Sequence, residues 1–214
     1  VARGGEAGYW RERANLLTPL AKAFSTDVGV EVASLGVQVH GGMGFIEETG
    51  AAALYRDARI APIYEGTNGI QAIDLVTRKL PLGNGEVVHA YLDELVAIAA
   101  AARTAEIAEL GETADLIDRA LEDVSEATRF LQDRFAAGDQ QVLLAGATPY
   151  LRLLSLTAGC AYLARAAVAD RSEARAALCR FAAENLLGEV AALKQRVIAG
   201  AGSLAAAARA LIAE

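Results

Sequence analysis

The sequence predicts an all-α protein in two parts, and three observations predict it. Ala and Leu dominate its 214 residues, while Pro occurs only 4 times and β-branched runs are few, a composition that favours helix over sheet. Apolar residues recur every three or four positions over long stretches. No segment sustains the two-residue alternation of a half-buried strand. With 54% hydrophobic residues the chain can bury a real core, which argues against disorder.

Residues 8–17 (GYWRERANLL) read as the end of one helix. Thr18-Pro19 reads as a restart, because Thr can cap a helix and Pro suits its first position. Leu20, Phe24, Val28, Val32 and Leu35 then give the next helix an apolar face. The adjacent glycines of VHGGMGF, 39–45, should end it. Thr49 begins a short helix, TGAAALYRDARI, whose Arg56 and Asp57 read as a structural ion pair or helix-end cap. IAPIYEGTNGIQ, 60–71, leads through a turn into a helix over 70–80. PLGNGE, 81–86, combines Pro, Asn and two Gly and is the best linker candidate, separating residues 1–82 from 86–214.

Beyond it, Val88, Leu92, Leu95 and Ala99 share one helical face, and Gly111 should stop that helix. Ile117, Leu121, Val124, Thr128, Leu131 and Phe135 form a heptad-like seam suited to an antiparallel bundle, stopped by Gly138. Residues 142–164 are long enough to cross a membrane. Arg152 near the middle would cost roughly 2.5–3.5 kcal/mol on insertion scales, so a helix buried in a bundle is the better reading. Asp170 and Glu173 resemble a capping box for a last helix running to about Ile198, before Gly200 and Gly202. The second part is thus expected to be of four-helix type.

Lys and Arg number 20 against 27 Asp and Glu, and a net charge of −7 argues against nucleic acid as a partner. Cys160 and Cys179 lie in apolar surroundings and read as small buried hydrophobes. With only His40 and His89 beside them they make no zinc pattern, so no metal is expected. No signal peptide is recognised, and a reducing, cytoplasmic setting fits. The first residue is Val and the single Met is Met43, so the chain is expected to be a piece of a longer protein or a trimmed form of one.

Glu65 has two readings. An acid just ahead of a helix interacts favourably with the helix's positive end. Alternatively, a carboxylate between Tyr64 and Gly66, in a dry pocket that a ligand can enter closely, can serve as a base. Spacing does not decide between them. The glycines of QVHGGMGF, 38–45, are equally open: a helix cap and tight turn, or backbone N–H groups free to meet a phosphate. They do not form the dinucleotide fingerprint that follows a strand.

Taken together and in this order, QVHGGMGF and YRDARIAPIYEGTNGIQ resemble the C-terminal helical domain of the acyl-CoA dehydrogenases. The resemblance covers residues 1 to about 80. Residues 86–214 resemble, less specifically, the additional C-terminal helical domain of a larger branch that includes the 3-methylmercaptopropionyl-CoA dehydrogenases. The resemblance implies an FAD enzyme that oxidises an acyl-CoA to the trans-2-enoyl-CoA, with Glu65 as the α-proton base. It implies that Gln38, Val39, His40, Gly41 and Gly42 meet the FAD of a neighbouring subunit, and that Thr67, Asn68 and Gly69 meet the subunit's own. Many relatives carry a bulkier polar residue where Gly69 stands. Tyr64 and Gly66 would line the acyl-thioester pocket. Electron transfer flavoprotein and a homodimer or dimer of dimers follow as partners. Family members also have an N-terminal helical domain and a β domain that supply much of the flavin and CoA site. Lacking these, the 214-residue chain is expected to be inactive and not to retain FAD. The rival reading is a flavin-free helical module for oligomerisation or interaction.

Overall fold

Helix α1 runs unbroken from Gly4 to Val39, straight through Pro19. This corrects the expected restart at Thr18. Pro19 deletes only the bond to the Asn15 carbonyl, and Asn15 is on the exposed side where water can meet that oxygen. Thr18 does not cap; its hydroxyl donates back to the Ala14 carbonyl at 2.7 Å. The computed structural model describes residues 4–212, so the outermost residues of the two predicted parts, 1–3 and 213–214, lie outside the described residues. Every regular element among the described residues is helical.

Gly41 (φ 59°) ends α1, as the glycine pair predicts, and a single-turn helix α2 (Gly42–Phe45) follows. Helix α3 spans Ala51–Ile60 and starts at Gly50 rather than Thr49. The Thr49 hydroxyl instead bonds the Met43 carbonyl at 2.8 Å, closing the preceding turn. Helix α4 (Asn68–Asp74) is capped by Thr67 and widens into one π turn, Leu75–Lys79. The extra residue of that turn lets Leu75, Val76 and Leu80 all reach the core.

Residues 82–85 form a tight turn rather than a long linker, with Gly83 and Asn84 left-handed. Helices α5 (Glu86–Thr104), α6 (Thr113–Ala136), α7 (Gln140–Asp170), α8 (Glu173–Leu186) and α9 (Gly188–Ile212) follow. That is one more helix than expected, because the chain breaks at Leu187 and then runs on through Gly200 and Gly202. Those glycines stay helical within an Ala-rich stretch that favours helix. Helix α5 ends at Thr104, short of Gly111, because Glu106 turns left-handed (φ 53°). The cap of α8 is Ser172, whose hydroxyl accepts from the Arg175 amide; Asp170 closes α7 and pairs with Arg175.

The expected faces of α5 and α6 are buried, except that Phe135 is 43% exposed at the end of α6. Helix α7 is the centre. It packs against α1, α4, α5, α6, α8 and α9. It is long and apolar enough to span a bilayer, yet 61% of its most apolar stretch is buried inside this protein. Arg152 is neutralised from two sides, by Glu31 of α1 at 3.0 Å and Glu189 of α9 at 3.0 Å. Thr128 of α6 meets the Tyr150 hydroxyl at 2.7 Å, and Thr157 donates to the Leu153 carbonyl at 3.0 Å, whereas Ser155 Oγ is buried without a hydrogen-bond partner among the described residues. One contiguous set of buried side chains runs from Leu16 to Val197, so residues on both sides of the 82–85 turn share a core.

The apolar face of α1 is only half covered. Leu20 is buried, but Val32 and Leu35 are 61% and 63% exposed, and Leu54 and Ile60 of α3 extend the open face.

Cys160 and Cys179 are both buried, and the Cys179 thiol points at the Cys160 carbonyl at 3.7 Å. Burial pushes the Cys160 thiol up to about 12 and the Cys179 thiol up to about 11. Neither should react with a thiol reagent at about pH 8 until the protein unfolds. Both folded values are raised, so their contribution to stability is complete below the unfolded pKa, 9.0, and is lost as pH climbs towards 11 and 12. Urea unfolding across that alkaline window should show a falling midpoint, and a flat profile would contradict the burial of these thiols.

Candidate active site

The Tyr64–Asn68 turn joins α3 to α4 and is built from two left-handed residues in succession, Glu65 (φ 53°) and Gly66 (φ 79°). Glycine adopts that conformation freely, but a glutamate there costs of order 1–3 kcal/mol. The strain is held from outside the turn. Lys22 of α1 donates to the Gly66 carbonyl at 2.8 Å and to Asn68 Oδ1 at 2.8 Å. The Asn68 amide nitrogen reaches the Ala23 carbonyl (3.0 Å), Thr26 Oγ1 (2.9 Å) and Asp27 Oδ1 (2.7 Å). Gln71 Nε2 donates to the Glu65 carbonyl at 3.2 Å. A Cβ on Gly66 would lie 3.2 Å from that same Gln71 nitrogen.

Glu65 is therefore not the helix cap; Thr67 takes that role, accepting from the Ile70 amide at 3.4 Å. The Glu65 side chain is exposed rather than enclosed in a dry pocket within this chain, among Ile63, Tyr64 and Ile70, which are 51%, 49% and 55% exposed. Among the described residues, Glu65 takes part in a side-chain hydrogen bond only through its backbone carbonyl, and neither the Glu65 nor the Gly66 amide has an acceptor. Gly66, Thr67 and Gly69 are exposed beside it. Asn68 differs: its side chain is half-buried and fully engaged with α1, so what it contributes here is the anchorage of the turn.

The second motif sits at the far end of α1. Gln38, Val39, His40, Gly41 and Gly42 are all exposed. His40 Nδ1 lies 2.8 Å from the Gly36 carbonyl, which fixes its ring against the helix end. Open space lies where a Cβ on Gly41 or Gly42 would stand, so a ligand can approach this backbone closely. Gly44 is the opposite case: a Cβ there would fall 2.2 Å from the Val37 carbonyl oxygen and 2.8 Å from His40 Cβ. Arg56 pairs with both oxygens of Glu47 at 2.9 Å, not with Asp57, and holds the Glu47 carboxyl below the usual range.

The two motifs do not converge. Val39 stands twelve residues beyond Asp27 on one helix, and at 1.5 Å per residue that is roughly 18 Å. A groove of about 860 Å³ between α1, α4, α7 and α9 takes Asp27, Asn68 and Gly69 into its wall but not Glu65. It is not a pocket for that acid. Sequence reasoning missed Lys22, Thr26, Asp27 and Gln71. The signal was the polar trio at 22, 26 and 27 on a helix whose neighbours Leu20, Ala23 and Phe24 face inward. Among the described residues no group of three or more His, Cys, Asp or Glu is placed to hold a metal.

Two family descriptions match the chain: acyl-CoA dehydrogenase, C-terminal domain, over residues 6–80, and acetyl-CoA dehydrogenase C-terminal like, over residues 91–208. The chain is 39% identical over 198 residues to 3-methylmercaptopropionyl-CoA dehydrogenase of Ruegeria pomeroyi, covering 86% of this chain and 33% of that protein. It is 37% identical over 103 residues to a butyryl-CoA dehydrogenase of Syntrophomonas wolfei, 48% of this chain and 17% of the other. It is 40% identical over 52 residues to the caffeyl-CoA reductase-Etf complex subunit CarC of Acetobacterium woodii, 24% of this chain and 14% of the other. The chain thus spans a third or less of the length of these relatives.

Replacing Gly44 by Ala should destabilise the α1–α2 corner by about 1–3 kcal/mol, the usual cost of overpacking. The atoms it meets are backbone and a Cβ, which cannot swing away. Thermal unfolding of the Gly44→Ala chain measures this, and an unchanged midpoint would refute the contact.

Proposed function

The chain belongs to the acyl-CoA dehydrogenase family, of which it carries C-terminal helical domains, and on that premise we propose that it is part of an FAD-dependent oxidoreductase acting on acyl-CoA. In this reading Glu65 removes the α-proton of the thioester on the way to the trans-2-enoyl-CoA. The observation that carries the reading is the turn: an exposed carboxylate with no partner among the described residues, on a backbone held left-handed from outside.

The chemistry needs two things at once. A thioester α-proton is only weakly acidic, so a base must act while donors meet the charge growing on the carbonyl oxygen. The Glu65 carboxylate would receive the proton. The Glu65 amide, without an acceptor among the described residues, would donate to the thioester oxygen. Gly66 leaves the approach clear, and Tyr64 would line it.

FAD fits the residues that would hold it. The open backbone at Gly41 and Gly42 and the exposed Gln38, Val39 and His40 suit the dinucleotide end of one flavin. Thr67 and Gly69 suit another, with Asn68 acting through the turn it anchors. When bound, the flavin supplies the acceptor for the β-hydride. Because α1 holds the two segments roughly 18 Å apart, the reading includes a homodimer or dimer of dimers in which each subunit serves two flavins. It also includes reoxidation by electron transfer flavoprotein, in keeping with a relative whose name records an Etf complex, and a cytoplasmic setting.

Two outcomes are expected. The purified 214-residue chain should be colourless and should not reduce a dye with acyl-CoA; a yellow, active chain would contradict this. In the full-length enzyme, Glu65→Gln should abolish α-proton abstraction, read as hydrogen–deuterium exchange at the substrate α-carbon, while flavin absorbance stays. Near-normal turnover would exclude Glu65 as the base.

A further inference from the structure

We propose that Lys22 is a positioning residue for Glu65, acting through the Gly66 carbonyl and Asn68; the inference rests on the reading of Glu65 as the base. Side chains fix the turn that carries Glu65 at three points, and none of them is the carboxylate. Gln71 holds the Glu65 carbonyl, Lys22 holds the Gly66 carbonyl, and Asn68 is bonded to α1. A clamp of this kind aims a base without occupying it. The Lys22 ammonium joins two of the three points, because it donates at 2.8 Å both to Gly66 and to Asn68 Oδ1.

The geometry of the anchor favours this role over a merely local contact. Lys22 and Thr26 are four residues apart and lie on one face of α1. Thr26 and Asp27 complete the ring of bonds around Asn68. The turn is thereby referenced to a helix of 36 residues instead of to its own loop. Two left-handed residues in succession, one of them not glycine, would relax if the outer bonds were released. Relaxation would rotate the Glu65 carboxylate and its own amide together. Both groups of the proposed proton-abstraction step would therefore move at once. The Lys22 ammonium also lies 5.9 Å from the Tyr64 ring centre, at the edge of useful cation–π range, so the aromatic wall moves with the same anchor.

Lys22→Met keeps the length of the side chain and removes both bonds. In the full-length dehydrogenase it should lower the rate of flavin reduction at saturating acyl-CoA by roughly 10- to 100-fold, as expected for a misplaced reacting group. Flavin content, melting temperature and KM should stay near those of the parent. In the 214-residue chain, which needs no flavin for this measurement, amide exchange of Tyr64 and Asn68 should accelerate while the α5–α9 core is unaffected. Those two amides report the turn because they bond the Ile60 and Pro62 carbonyls at 3.1 and 3.0 Å. Lys22→Gln, which keeps a neutral N–H donor on a shorter side chain, should fall between parent and Lys22→Met in both measurements. A reduction rate within about twofold of the parent would overturn the proposal. So would a rate loss that tracks loss of flavin or of melting temperature, since that marks a structural role. Glu65→Gln measured in parallel separates the two ideas: if it turns over normally, the base assignment fails and the positioning role falls with it. If Glu65→Gln is dead and Lys22→Met is fully active, only the positioning role fails.

Discussion

Burial of α7 is the constraint on which the other helices depend. Its 31 residues are apolar on nearly every side, and the side chains from Leu151 to Ala161 include eight that are 5% exposed or less. Such a helix is stable in water only when other helices cover it. Helices α5, α6, α8 and α9 cover most of it, and α1 and α4 close the rest. The two ends of the chain are joined through this helix and not through the short turn at 82–85. The Arg152 pairs with Glu31 and Glu189 sit at the rim of that contact, part exposed, where ion pairs fix register more than they stabilise.

That packing determines where α1 lies, and α1 in turn determines where the Glu65 turn lies. The strain of a left-handed glutamate is small beside the bonds that restrain it, provided that these bonds are shielded and point at a rigid frame. Asn68 is half-buried and bonded to four groups of α1, which meets that condition. Pro19 inside α1 is tolerated for the same reason: Leu16, Leu20 and Ala23 on either side of it are buried, and their packing outweighs one missing helical bond. The open apolar face at Val32 and Leu35 lies towards the other end of the same helix, and Leu54 of α3 extends it.

Much of this was legible in the residues. The core positions of α5 and α6 follow from three- and four-residue spacing, and the end of α1 follows from Gly41. The acid at 65, the glycine at 66 and the capping threonine at 67 are all visible as a turn before a helix. The errors cluster where local signals compete with packing. Thr18-Pro19 carries a good start signal, but the helix on both sides is already held. Asp170 and Glu173 imitate a capping box, but α7 extends to Asp170, and Ser172 has the extended backbone that a cap requires. Gly200 and Gly202 look like a stop, yet neighbouring alanines keep the helix intact.

The sequence by itself determined the all-α class, the buried faces of α5 and α6, and the turns at Gly41, Gly66 and Gly138, because these depend on spacing and on backbone preferences of single residues. Only the tertiary structure decided that α1 is continuous, that Asn68 faces α1, and that Lys22 reaches a turn 44 residues away. These contacts are set by how helices distant in sequence pack around α7, and the energy that selects them is shared among many buried side chains rather than written in any short stretch. The same packing leaves Glu65 exposed at the surface of this chain, on a turn whose shape is held by Lys22, Asn68 and Gln71 and not only by the residues beside it in sequence.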